Sequence, residues 1–386
     1  MPRARKAALG TGMVLLAGFV AYSALHEYVR AAVFVVLAAN LGGLPAAAAS
    51  LETDTVTERD LRVPWRGGGL PARWYSNGDD RHAPILLVPG VHASGIDEPR
   101  LVAVARHLAS IGHPVLTTEL ADLKAYEITP RSTDMIEDAA AWLAGHSGLA
   151  PRGRVGLMGI SFAGGLAIVA SARPSVADRL EFVMSFGGHG DLPRTLRYLA
   201  TGEMPGADVP PPHDYGVAII LLGAADQAVP EDQVEPLRTA ILTFLEASRL
   251  DMVDKPRSRG EFARARKMAA DLPEPARTLM GYVNDRDVAR LGPILLPHIE
   301  AMDADPAHSP SMAPAPRAPV YLLHGADDNV IPAAESTQLA ETLRSRGATV
   351  HLLTTPLVTH AEVDRPPSLG DLLDLVRFWG SLLDEG

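Results

Sequence analysis

The 386-residue chain contains no cysteine. Disulfides, thiolate zinc sites and cysteine nucleophiles are therefore excluded, and covalent acyl-transfer chemistry would fall to serine. A basic surplus is missing as well: 35 Lys+Arg against 46 Asp+Glu leave a formal charge of −11. That sign repels a phosphate backbone, so nucleic acid is not an expected partner. Charge of either sign is absent from Ala7 to Leu25, which is about the length of one bilayer crossing.

Arg3, Arg5 and Lys6 precede that run, whereas Arg30, beside Glu27, follows it. The positive-inside tendency then puts the N-terminus in the cytoplasm and the main domain outside, and makes the membrane a partner through a single-pass anchor. A second apolar stretch begins at Ala31 but is broken by Asn40, Gly42, Gly43 and Pro45. It reads as an interfacial or docking helix and not as a second span. Ala46-Ala47-Ala48-Ala49-Ser50 offers the small residues of a signal cleavage site, late in the chain for that purpose. His26-Glu27-Tyr28-Val29-Arg30 opens like the helix of a zinc protease, but Arg30 stands where a second histidine is required. No metal site is read there.

Beyond residue 50 the pattern changes. Val56 to Val63 and Leu70 to Tyr75 alternate like an edge hairpin around Gly67-Gly68-Gly69. Short apolar runs then alternate with helical ones: Ile85 to Val88 and Val115 to Leu116 as strands, Leu101 to Ile111 and Thr133 to Leu143 as helices, and Arg154 to Met158 as a further strand. This order predicts an α/β fold with a mostly parallel central sheet flanked by helices and with active groups at the carboxyl ends of the strands.

At one such end stands Gly159-Ile160-Ser161-Phe162-Ala163-Gly164-Gly165. Small residues on either side of Ser161 suit a tight strand-to-helix turn that exposes a serine. The motif resembles the nucleophile elbow of the α/β-hydrolase superfamily, usually Gly-x-Ser-x-Gly, with Ala163 in place of the last glycine. The resemblance implies Ser161 as nucleophile and the backbone NH of Phe162 as an oxyanion donor at a helix N-terminus. Pro89-Gly90-Val91-His92-Ala93-Ser94-Gly95 resembles the superfamily's oxyanion loop and makes the Val91 NH the second donor, with His92 facing substrate or serving the loop.

A serine needs a histidine base, and the histidine a carboxylate. Gly325-Ala326-Asp327-Asp328-Asn329-Val330-Ile331-Pro332 resembles the acid loop of the same superfamily, which makes Asp328 the acid, and His360, after the next strand, is where the resemblance puts the base. The order Ser161, Asp328, His360 is that of the superfamily. Two rivals exist. Asp226 lies in a near-copy of the acid loop but is followed by helices, and Asp191 follows the strand Phe182 to Phe186, where some relatives carry their acid.

After that strand, regular alternation stops. Residues 188–317 read as a helical lid, including an amphipathic helix from Glu231 to Leu250 and ending in the proline-rich segment Pro306 to Pro316, read as a stiff extended linker. The core resumes over 318–386, with strands Pro319 to Leu323 and Val350 to Leu353 and helices Ala333 to Arg346 and Leu369 to Leu383. Four regions follow: 1–50 anchor and apolar juxtamembrane helix, 51–187 first core part, 188–317 lid, 318–386 second core part. The resemblance implies a serine hydrolase of the carboxylesterase or lipase type, acting on a small-molecule or lipid ester without cofactor or metal. The alternative is a membrane-tethered, non-catalytic binding protein that keeps the hydrolase fold.

Overall fold

A computed structural model describes residues 26–79, 81–251, 253–301, 305–358 and 368–386. Its centre is an eight-stranded sheet: β1 (Thr57–Trp65), β2 (Gly68–Ser76), β3 (Ile85–Val88), β4 (Val115–Thr118), β5 (Val155–Ile160), β6 (Leu180–Phe186), β7 (Val320–Gly325) and β8 (Val350–Thr355). The spatial order is β1-β2-β4-β3-β5-β6-β7-β8. β1 pairs antiparallel with β2, and β2 with β4, while every later pair is parallel. β3, β4 and β7 are buried along their whole length, as expected of strands covered on both faces, and β3 (Ile85–Val88) is accordingly a continuous apolar run. In the hairpin, Trp65 pairs with Gly68. The turn is therefore Arg66-Gly67, and Gly68 and Gly69 belong to β2, one step from where the glycine run suggests.

Helices α5 (Pro130–Gly145), α6 (Phe162–Ser171) and α14 (Ala333–Ser345) cover one face. The other carries α3 (Pro99–Ser110), α15 (Leu369–Leu383) and α1, which spans the described residues 26–38. A short α2 (Leu44–Ala49) follows α1, and α4 (Ala121–Lys124) follows β4.

Of the two readings of the stretch from Ala31, interfacial or docking, the described part of α1 follows the docking one. Ala31, Val33, Phe34 and Val35 are buried in the protein core, and the Phe34 ring lies 4.4 Å from that of Trp379 on α15. The apolar stripe is thus spent on the protein and not on lipid headgroups. The expected anchor, Ala7–Leu25, lies outside the described residues, and among those described no helix is long and apolar enough to cross a membrane.

Between β6 and β7 the described residues form α7 (Leu192–Thr201), α8 (Gly216–Gly223), α9 (Ala225–Ala228), α10 (Glu231–Asp251), α11 (Lys255–Asp271), α12 (Ala276–Asp285) and α13 (Val288–Ala301). They share an apolar core of their own, which also takes in Phe162, Val330 and Ile331 from the sheet's carboxyl rim. The proline-rich segment after them is not a free extended linker. Its Ala307 carbonyl accepts from Thr133 Oγ1, Ser309 Oγ accepts from the Leu192 NH, and Ser311 NH donates to the Gly190 carbonyl.

Candidate active site

The order of strands reverses at β3 and β5, which are neighbours in the sheet although β4 lies between them in sequence. Chains leave these two strand ends in different directions and open a crevice. Val88 stands in register with Gly159, so the loop after β3 and the turn after β5 begin side by side. A Cβ at Gly90 would lie 3.0 Å from both the Ile160 carbonyl oxygen and Ser161 Cβ, and one at Gly159 would lie 2.2 Å from the Ala163 carbonyl oxygen. Only glycine lets these backbones approach so closely.

Ser161 occupies the turn at φ 56°, ψ −134° and caps α6. A non-glycine residue held there costs about 1–3 kcal/mol, which the surroundings must over-determine. Here the Ser161 NH donates to the Phe186 carbonyl at 2.8 Å, and its carbonyl accepts from the Gly164 NH at 2.7 Å. The mostly parallel eight-stranded sheet in this order, with helices on both faces, is the deciding feature. The chain has the α/β-hydrolase fold.

No family model matches the sequence, and no curated protein matches it. Among solved structures, the chain is similar to a hyperthermophilic esterase from the archaeon Pyrobaculum calidifontis, with 15% identity over 93% of this chain and 91% of that one and a TM-score of 0.44. It is similar as well to an arylesterase at 14% identity, 86% of each chain and TM-score 0.48. The thermophilic carboxylesterase EstE1, from a metagenomic library, matches at 15% identity, 88% of this chain and 92% of that one, with TM-score 0.46.

In this hydrolase fold Asp328 is fully buried in the loop after β7. Its Oδ1 accepts from the Val330 NH at 2.8 Å and the Ile331 NH at 3.0 Å, and its Oδ2 lies 3.4 Å from His324 Nε2. A Cβ at Gly187, just past β6, would lie 3.5 Å from that same Oδ2, so the carboxylate reaches along the rim to the end of β6. His324 supports the loop: its Nδ1 meets Ser336 Oγ at 2.6 Å and its Nε2 the Ile331 carbonyl at 2.7 Å.

The rivals sit elsewhere. Asp226 is exposed on α9, and the apolar run before it is helix α8, not a strand. Asp191 caps α7, accepting from the Arg194 NH and from Ser311 Oγ. His360 lies outside the described residues, while Leu357 and Val358 just before it are buried.

Ser161, Phe162 and Val91 line one cavity of about 400 Å³, with the insertion as its roof. Most of the wall is apolar, including Leu101, Phe186, Ile219, Leu245 and Val330. Two tyrosines that no motif marked, Tyr126 and Tyr215, also face it. Burial pushes both phenols up from their usual range, which keeps them protonated hydrogen-bond donors at neutral pH. Of the described histidines, His92 and His213 line the cavity. His92 Nδ1 accepts from the Ser94 NH at 3.1 Å, and burial pushes the imidazole below its usual range. The ring is then neutral with its proton on Nε2. Arg249 and Arg286 reach the wall from the insertion, already engaged by Glu246 and Asp214.

Proposed function

We propose that the chain is a serine hydrolase that transfers the acyl group of a carboxylic ester to water through an acyl-Ser161 intermediate. Asp328 and His360 complete the relay. The observation that carries this reading is the strained Ser161 at the head of α6, opening into a walled apolar cavity beside the Gly90-Val91 loop.

Ser161 Oγ attacks the ester carbonyl carbon as His360 takes its proton. Charge gathers on the former carbonyl oxygen, where the NH groups of Val91 and Phe162 receive it; one such donor is typically worth about 3 kcal/mol of barrier. The histidinium, held by Asp328, then protonates the departing alkoxide, and water repeats the sequence in reverse order to free the acid. Asp328 suits this role because two backbone NH groups fix its Oδ1, while Oδ2 lies beside Gly187 at the end of β6 and 3.4 Å from His324 Nε2. A cavity of about 400 Å³ lies at the lower end of ligand-site volumes and suits a small or medium acyl ester with a neutral, apolar chain. The helices α7–α13 act as its lid. The apolar run Ala7–Leu25 is part of the proposal as a single-pass tether that holds the domain outside the cytoplasm, and alkaline carbonate extraction tests it: the full chain should stay in the membrane pellet.

The activity is tested with p-nitrophenyl esters of graded chain length. Turnover should peak at short to medium chains and vanish in Ser161→Ala. A folded parent chain that hydrolyses none of them, or a Ser161→Ala variant that retains parent turnover, overturns the reading.

A further inference from the structure

At the opposite end of the sheet from Ser161, where β3 and β4 begin, three side chains from separate segments meet. Glu27 comes from α1, His82 from the turn before β3 and His113 from the turn before β4. Each offers one ligand atom, and these atoms all lie within 4.8 Å of one another. Glu27 Oε2 is 3.5 Å from His113 Nε2, Glu27 Oε1 is 3.9 Å from His82 Nε2, and the imidazole centroids are 4.4 Å apart. Residue His113 is only 1% exposed, yet its Nε2 has no hydrogen-bond partner, and neither has the buried Glu27 Oε2 that faces it. These two atoms face each other at a separation longer than a firm hydrogen bond, and a shared ligand between them would satisfy both.

We propose that Glu27, His82 and His113 bind a zinc-class divalent cation that staples α1 to the starts of β3 and β4. Two imidazoles and one carboxylate form a nitrogen-rich set that suits zinc, whereas calcium and magnesium favour oxygen ligands. A neutral imidazole at each of the two positions offers one nitrogen lone pair to the cation. The spacing along the sequence gives no hint of the site, because α1 supplies only one ligand.

Arg30 is the competitor. Its Nη1 lies 3.4 Å from Glu27 Oε1 and also contacts His82 Nε2, while its Nη2 is 3.8 Å from Asp79 Oδ2. When the cation binds, the guanidinium gives up Glu27 and His82 and turns fully to Asp79, whose carboxylate also pairs with the exposed Arg81. The site lies away from the Ser161 cavity, so the ion stabilises the fold and takes no part in turnover.

The test uses full-length protein purified without a histidine tag, stripped with a chelator and titrated with zinc chloride against a chromophoric competitor, with melting temperature followed in parallel. One zinc should bind per chain and raise Tm. His82→Gln, at a partly exposed position that tolerates change, should weaken zinc binding by about 100-fold or more, and His113→Ala likewise if it folds. Arg30→Gln should bind zinc at least as tightly as the parent, because the competing cation is gone. A parent and an Arg30→Gln variant that bind no zinc, with Tm unmoved by zinc or chelator, overturn the proposal and leave the cluster as an ion pair. Zinc binding of parent strength in His82→Gln overturns it too, since the ion would then sit elsewhere.

Discussion

Ser161 is buried against the cavity and holds a backbone angle that L-residues rarely adopt, and Gly159 and Gly90 are the neighbours that leave room for the turn. Gly90→Ala should press its methyl on the Ile160 carbonyl and Ser161 Cβ, displace the Val91 NH and lower kcat about 100-fold with a smaller change in KM. Unchanged kcat would remove the loop from the oxyanion site. Asp328→Asn should cost about 10³- to 10⁴-fold in kcat, whereas Asp226→Asn, on the exposed surface of α9, should stay within about twofold. Steady-state kinetics on both variants separates the two carboxylates. The elbow, the acid loop and the oxyanion loop are local motifs read from adjacent residues, and their catalytic roles are the proposal that these variants test. Tyr126 and Tyr215 were not legible: they reach the cavity from distant segments, and nothing beside them in the sequence marks that convergence.

Among the elements, the strands and most core helices follow the sequence pattern closely, and Leu369–Leu383 coincides with α15. The insertion was harder to read. Pro236 sits inside α10, and Pro293 and Pro297 inside α13, residues that ordinarily argue against a helix interior, and tertiary packing overrides them. Nor does sequence spacing reveal what pins the insertion down. Glu335 on α14 is fully buried and accepts from the Gly190 and Asp191 NH groups and from Arg194 on α7. Breaking a buried pair of this kind costs about 3 kcal/mol or more, so Glu335→Gln should lower the urea midpoint and raise KM as the roof loosens. A variant of parent stability would show that the pair is dispensable. For α1, whose apolar stripe was read from the sequence but whose partner was not, Phe34→Ala should destabilise by about 3 kcal/mol through the cavity left beside Trp379.

For the molecule as a whole, three cores surround one sheet: two cover its faces and the third roofs its carboxyl rim. That arrangement buries several histidines. Burial pushes His107, His189 and His308 below their ordinary value of 6.5. As pH falls through about 6.5 the unfolded chain takes up protons that the folded chain still refuses, so stability is fully present above that pH and drains away below it. The urea midpoint should therefore drop between pH 7.5 and pH 5; a constant midpoint would mean that these rings are solvated or paired after all.

The relay itself is tested most directly by incubating the folded chain with a fluorophosphonate probe and mapping the adduct by peptide mass spectrometry. A single modification on Ser161, absent in Ser161→Ala and slowed by several orders of magnitude in His360→Ala, is the expected result. An unmodified Ser161 in a chain that hydrolyses aryl esters, or equal labelling with and without His360, would contradict it.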